Sequence, residues 1–241
     1  MIIRKQDQDR KQPAATSGFW AAPLTAALNV WYLIAFGLYQ PILFAPWHGL
    51  TAYAASFQPL PRLSWVVPCF FLAPVFLITM TCLHVWAGEE KQMWSLLAVV
   101  FAVVYATLLS ANYYIQMTVD QHHLLTGTTD GLSLWLYGYH NPYNIPAALA
   151  GVGYGFMCVS FLFAAQVFGR GRLERWVRWT FIGTGLTGLV VFIGPLVRVP
   201  LVFLLVDGVA GGLFLTLAPV LLAVLFQRSK HNTGALAEGT Y

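Results

Sequence analysis

The chain has 241 residues, of which 58% are hydrophobic, 15% aromatic and only 9% charged. A soluble domain is about 45–50% apolar and about 25% charged, so a water-soluble fold of this size could not cover so much apolar surface. The composition also excludes disordered and disulfide-rich secreted proteins, which leaves an all-α integral membrane protein. The net charge of +4 comes from cations at segment ends, and no basic stripe with interleaved aromatics indicates a nucleic-acid partner.

Six stretches are long enough to cross a bilayer core of about 30 Å, which requires about 20 helical residues. They cover residues 24–44, 64–86, 94–116, 146–168, 179–199 and 201–226. We therefore predict a bundle of six transmembrane helices within residues 19–228, between a polar cytoplasmic N-terminal tail (1–18) and a cytoplasmic C-terminal tail (229–241). The first apolar run is long enough to span, so we interpret it as an uncleaved anchor and not as a signal peptide.

Lysine and arginine are distributed unequally between the segments on the two sides of the predicted bundle. With the N-terminus inside, the inner segments hold eleven of the thirteen cations, and the outer segments hold only Arg62 and Arg198. Because short cation-rich loops stay in the cytoplasm, we expect both termini to be cytoplasmic. No eukaryotic targeting or lipidation signal is apparent, so we expect the plasma membrane of a bacterium.

Local signals refine the map at the outer surface. Asn141-Pro142 and Asn144-Ile145-Pro146 each place a capping residue near a proline, and this pattern predicts the start of the fourth helix. The aromatic stretch from Ala45 to Arg62 is expected to lie along the outer surface as an interfacial segment.

Polar residues within the spans collect on the outer half of the predicted bundle. On the third helix, Tyr105, Asn112, Gln116, Asp120 and His123 recur at intervals of seven, four, four and three, so they share one face if the helix continues to His123. Asp207 in the sixth span lies at the depth of Arg198, whose guanidinium can approach the carboxylate. We predict an outward-facing polar cavity whose ligand-binding residues are Asn112, Tyr113, Gln116, Asp120, Arg198 and Asp207.

A metal site at Asp120, His122 and His123 is an alternative interpretation of the same segment. Asp and His three residues apart on a helix can share a divalent ion, but zinc needs three or four ligands and no second motif supplies them. Counted from Trp94, Asp120 lies about 39 Å along the helix at about 1.5 Å per residue, which favours a solvated polar helix end. We expect no cofactor, and we interpret His84 as a hydrogen-bonded residue, not a haem ligand.

Small residues form faces on the last three predicted helices. They are Ala147, Gly151 and Gly155 on the fourth, Gly183, Gly185 and Gly188 on the fifth, and Gly208 and Gly212 on the sixth. Such faces let helix backbones approach closely in lipid. We expect them to pack inside the bundle, with a homo-oligomer or a membrane partner as the alternative.

Three functions fit these features. We favour the binding or transport of a small or lipophilic ligand in the polar cavity, without covalent chemistry. The alternatives are an accessory or assembly subunit of a membrane complex, and a membrane-embedded enzyme that acts on a lipid-like substrate through Asp120, His122 and His123. The chain has no Walker A, GxSxG or HExxH pattern that would name a reaction.

Overall fold

The structure is a computed structural model that describes residues 2–43, 46–136, 141, 144–197 and 212–238. Side chains are described within residues 12–39, 46–136, 141, 144–188 and 212–230. Throughout these ranges the regular structure is helical, without a strand.

Six long helices make up most of the described chain. They are α1 (Ile2–Leu43), α3 (Pro59–Trp86), α4 (Gln92–Ile115), α6 (Ile145–Ala164), α7 (Arg172–Val197) and α8 (Gly212–Glu238). Two short helices are α2 (Leu50–Ser56) and α5 (Gln121–Thr126), and a π-helical turn (Gln116–Asp120) joins α4 to α5.

Within the described residues, five stretches are long and apolar enough to cross a membrane, as expected of a helical membrane protein. They are Gln12–Tyr39, Pro59–Trp86, Glu89–Thr126, Ile145–Val167 and Gly212–Lys230. The first four contain most of the first four predicted spans. The predicted fifth span begins within α7, and residues 198–211, where the predicted sixth begins, lie outside the described residues.

The long helices of the described chain contact one another in a closed order. Helix α1 contacts α3 and α8, and the contacts α3–α4, α4–α6, α6–α7 and α7–α8 complete the circuit. We call the end where α3 begins and α4 ends the capped end, because α2 lies there. We call the opposite end, where α4 and α7 begin, the basic end. It holds Lys91, Arg170, Arg172, Arg175, Arg178, Arg228 and Lys230, whereas Arg62 is the one described cation at the capped end.

Packed aromatic rings fill the middle of the bundle. The Phe76 ring lies 5.3 Å from that of Tyr105 and 5.1 Å from that of Phe161, between centroids. Phe161 in turn meets Phe181 edge to face at 4.9 Å. All four side chains are fully buried. Close packing of this kind stabilises helix association in lipid, where the hydrophobic effect between helices is small.

The N-terminal segment is helical well before the predicted boundary at residue 19. Helix α1 starts at Ile2, and Ala14, Ala15 and Gly18 are buried. A Cβ atom on Gly18 would overlap the ring of Phe226 in α8. Residues 14–18 therefore pack in the bundle, although their composition resembles that of a polar tail.

The predicted start of the fourth helix is confirmed. Asn144 is the N-cap of α6, its side-chain oxygen accepts a hydrogen bond of 2.9 Å from the Ala147 N–H, and Pro146 lies in the first turn. Helix α3 instead starts five residues before the predicted residue 64, with Pro59 and Pro61 in its first turn. Prolines are favourable there because the first N–H groups of a helix have no intrahelical acceptor.

Several glycines of the predicted small faces contact neighbouring helices of the same chain. A Cβ atom on Gly185 would overlap Leu162 of α6, and one on Gly188 would overlap Cys158. On α6 the glycine that meets Leu109 of α4 is Gly153, which is not part of the predicted face of Ala147, Gly151 and Gly155. Gly208 lies outside the described residues. These contacts are the close intramolecular approaches that small residues permit.

Candidate functional site

A buried ion pair joins the start of α3 to the end of α4. Arg62 Nη2 lies 2.9 Å from Asp120 Oδ2, and the exposed fractions of the two side chains are 5% and 0%. Moving two charges out of water is costly and is offset only by close geometry and further hydrogen bonds. The surrounding fold therefore has to hold the two side chains in close contact and provide further hydrogen bonds.

The π-helical turn brings a second acceptor to the same guanidinium. Gln116 Oε1 accepts from Arg62 Nη2 at 3.3 Å, so Gln116 and Asp120 share one guanidinium nitrogen. A π-helical turn has more residues per turn than an α-helix, and such turns are frequent at functional sites. Gln116 and Asp120 are the first and last residues of this turn, and both side chains contact one donor nitrogen.

Helix α2 supplies a third contact and covers this end of the bundle. Arg62 Nη1 donates to the Tyr53 hydroxyl at 3.2 Å. Residues of the α2 region pack on a small apolar cluster after α4 that is separate from the main core; it comprises Leu124, Leu132 and Leu136, with Trp47, Leu50, Tyr53, Ala54 and Phe57 against them. The predicted interfacial segment thus contains a short helix that rests on the chain after Asp120.

Two polar atoms beside the ion pair are buried without a hydrogen-bond partner among the described residues. They are Asp120 Oδ1, an acceptor, and Gln116 Nε2, a donor. The orientation of the Gln116 amide follows from its contact, because Oε1 must face the guanidinium donor and Nε2 then faces away. Buried polar groups nearly always have a partner, so each exception calls for an explanation such as a bound water or ligand.

Aromatic and hydroxyl side chains continue from the ion pair toward the middle of the bundle. Trp65 lies edge-on to Tyr113, and the Tyr113 hydroxyl lies 3.0 Å from that of Tyr154. The Tyr154 hydroxyl in turn donates to Cys69 Sγ at 3.9 Å. The Tyr105 hydroxyl is also buried, without a hydrogen-bond partner among the described residues. A column of polar atoms with aromatic walls thus extends below the charged pair.

The predicted shared face of the third span is largely confirmed. Tyr105, Asn112, Gln116 and Asp120 are all buried, and the helix continues through the π-helical turn to Thr126. Asn112 Nδ2 donates to the Pro146 carbonyl at 3.1 Å and so ties α4 to the start of α6. That these residues and Tyr113 bind a ligand stays a prediction.

The expectation of a solvated helix end is wrong for Asp120. Helix length alone placed this carboxylate among headgroups or water, but α2 and Arg62 cover it. His122 beside it is exposed, and His123 contacts the Thr128 hydroxyl at 2.9 Å. Within the described ranges, no three His, Cys, Asp or Glu side chains are close enough together to hold a metal ion.

The predicted pair of Arg198 and Asp207 lies outside the described residues. The expectation that His84 is hydrogen-bonded is confirmed, since its Nδ1 lies 2.8 Å from the Ser95 hydroxyl. The site residue that sequence reasoning missed is Arg62, which counted only as an outer-loop charge. One signal was present: an acidic residue on an apolar helix face needs a counter-charge, and the outer segments hold only two cations.

Comparison of the chain with protein-family models, with curated proteins and with solved structures finds no match.

Proposed function

We propose that this protein binds a small, uncharged, hydrogen-bonding ligand at the capped end of the bundle, without covalent chemistry. The observation that carries the proposal is a pair of buried atoms without a hydrogen-bond partner among the described residues, namely the acceptor Asp120 Oδ1 and the donor Gln116 Nε2. Both atoms belong to side chains that contact one guanidinium nitrogen of Arg62. Intramembrane polar groups of this kind often mark a ligand path.

The chemistry of the two atoms selects the ligand class. A group that both donates and accepts, such as a primary amide or a hydroxyl, satisfies Asp120 Oδ1 and Gln116 Nε2 together. Because Arg62 and Asp120 neutralise each other, the site has no net charge to offer an ionic ligand. The rings of Trp65 and Tyr113 provide an apolar wall nearby. A neutral amphiphile with one polar group therefore fits the site best.

Ligand entry requires that the cap opens. Asp120 and Gln116 are almost fully buried, and Tyr53 of α2 contacts their shared guanidinium. Helix α2 has no buried residue and follows Gly49, whose φ of 96° is in the left-handed region that favours glycine. Movement of α2 about Gly49 would uncover the pair while the long helices stay packed.

The proposal includes six spans with both termini in the cytoplasm of a bacterial cell, in the plasma membrane. The cation distribution supports this orientation, because eleven of the thirteen cations fall on one side. Reporter fusions after Lys91, Arg172 and Lys230 should then indicate the cytoplasm, and a fusion at Thr126 the opposite side. A C-terminus outside the cell would contradict the orientation but would leave the ligand site intact.

The ligand site is tested with octanamide, whose single amide group donates and accepts. Octanamide should raise the unfolding temperature of the detergent-purified protein, because a ligand at 100 times its Kd adds about 2.7 kcal/mol of stability. Octanoate and octyltrimethylammonium, which have the same chain and a charged headgroup, should have little effect.

Matched glutamine variants locate the effect. Gln116→Leu should abolish the shift, because it removes the donor while keeping the volume. Gln166→Leu changes a glutamine near the basic end, whose amide contacts the Leu162 carbonyl at 3.5 Å, and should leave the shift unchanged. Equal stabilisation by the charged amphiphiles, or a full shift in Gln116→Leu, would refute the proposal.

A further inference from the structure

Four arginines and two tryptophans form an exposed patch where α7 begins. The patch comprises Arg170, Arg172, Arg175, Trp176, Arg178 and Trp179, and we call it the α7 patch. Trp176 and Trp179 are 61% and 65% exposed. The opposite face of the same helical segment packs in the bundle interior, since Val177, Thr180 and Phe181 are buried. The cations and the rings therefore occupy one outer surface of the bundle.

The acidic residue within this segment forms a hydrogen bond with the backbone. Glu174 Oε2 accepts a hydrogen bond of 2.6 Å from the Gly169 N–H. Within the described ranges none of the four arginines of the α7 patch forms an ion pair. The patch thus presents four positive charges, and Glu174 serves to hold the turn that leads into α7.

Exposed tryptophans on other helices show the depth of the α7 patch. Trp20 of α1 and Trp94 of α4 are also exposed at the basic end, on helices that are long and apolar enough to cross a membrane. Tryptophan side chains favour the level of the lipid headgroups, where their rings are apolar and their N–H groups are hydrated. Arginines beside such rings lie at the level of the lipid phosphates.

We infer that the α7 patch is a binding site for the headgroup of an anionic phospholipid. The guanidinium groups match phosphate oxygens in charge and in paired hydrogen-bond geometry, and the two indole rings pack against the upper acyl chains. Basic clusters at helix ends bind anionic headgroups in this way. This inference is independent of the ligand site at the capped end, since it uses the opposite end of the bundle.

Native mass spectrometry of the detergent-purified full chain tests this inference, with phosphatidylglycerol and phosphatidylcholine as probes. The protein should retain phosphatidylglycerol in preference to phosphatidylcholine. Replacing Arg170, Arg172, Arg175 and Arg178 with Gln should remove the preference, with about a fivefold loss of phosphatidylglycerol affinity for each arginine. The four Arg→Lys changes keep the charge and should retain most of the preference.

A matched control distinguishes a local site from general surface charge. Replacing Lys91, Arg228 and Lys230 with Gln removes three cations from the same end but none from the α7 patch, and it should leave lipid preference within about twofold. If the four-Gln protein does not fold, as judged by circular dichroism, single Arg172→Gln and Arg175→Gln proteins should show graded losses. Equal losses in the control, an unchanged preference in the Gln variants, or displacement of lipid by millimolar inorganic phosphate would overturn the inference.

Discussion

The two ends of the bundle handle charge in opposite ways. At the basic end, arginines point outward and depend on water or headgroups for solvation. At the capped end, Arg62 and Asp120 are buried and depend on each other, on Gln116 and on Tyr53. A surface cation costs the fold little, whereas a buried pair has to be held in place by tertiary structure.

The exposed charges of the basic end are expected to determine the membrane orientation, whereas the buried charges of the capped end form the candidate site. The outward charges of the basic end favour the predicted orientation, and exposed positions are tolerant of which basic residue is present. Stability alone does not require the charges of the buried pair, because an apolar pair of similar volume is often as stable or more stable. Asp120 Oδ1 and Gln116 Nε2, which have no hydrogen-bond partner among the described residues, are the reason that we propose a role in binding for the polarity of the capped end.

The largest expected effect comes from breaking the buried pair on one side. Arg62→Met should lower the free energy of unfolding by about 3–5 kcal/mol, because Asp120 stays buried without its counter-charge. Chemical unfolding in detergent measures the loss. The double variant Arg62→Met/Asp120→Leu should recover most of it, since both charges are then gone.

The same double variant tests why the charges are there. If the pair serves ligand binding, the double variant is stable but shows no octanamide shift. A double variant as unstable as Arg62→Met would contradict this view, and the pair would then be a required structural contact. As a counterpart at the basic end, Arg175→Gln should change the free energy of unfolding by less than about 0.5 kcal/mol.

A smaller effect is expected from packing near the basic end. Gly18→Ala should destabilise the protein by about 1–3 kcal/mol, because the new Cβ atom overlaps the buried ring of Phe226. Gly37→Ala is the control on the same helix; among the described residues no atom lies within 4 Å of its Cβ position, and it should be neutral or stabilising by up to about 1 kcal/mol. Thermal unfolding of both variants measures their stability relative to the unmodified protein. Equal stability would show that residues 14–18 are a solvated tail and not part of the bundle.

Composition and periodicity predicted much of the fold for a physical reason. Apolar runs of membrane length and proline or asparagine at helix starts are local properties, so α3, α4 and α6 could be placed, and Asn144 was recognised as an N-cap. The start of α1 could not be placed from the sequence, because Ala14, Ala15 and Gly18 are buried through contacts with distant residues such as Phe226.

The candidate site was predicted on one side only. Helical spacing placed Gln116 and Asp120 on a common face, since that relation lies within one helix. It could not show that α2 covers the helix end, because the Tyr53–Arg62 contact and the apolar cluster around Leu136 are tertiary. Counting 1.5 Å per residue gives depth along a helix but says nothing of what packs beside it.

A weak coupling is expected for a neutral polar contact between α1 and α3. The hydroxyl oxygens of Thr25 and Thr79 lie 3.1 Å apart, and each also lies within hydrogen-bond distance of a carbonyl in its own helix, at 3.0 Å on Ala21 and 2.9 Å on Val75. The two hydroxyl groups have two hydrogens for these three contacts, so at most two of the contacts can form at once. The contact between the helices therefore competes with a local one. A double-mutant cycle of Thr25→Val and Thr79→Val should therefore give a coupling of only about 0.6 kcal/mol.

Thr81→Val provides the control cycle with Thr25→Val. Thr81 is exposed on α3 and its hydroxyl donates to the Leu77 carbonyl at 2.9 Å, so the coupling of this pair should be zero within error. A Thr25–Thr79 coupling as large as that of Arg62 and Asp120 would remove the contrast on which the site argument depends. A pair of neutral hydroxyls in the bundle would then have the same coupling free energy as a buried ion pair. The buried charges would no longer distinguish the capped end from the rest of the bundle.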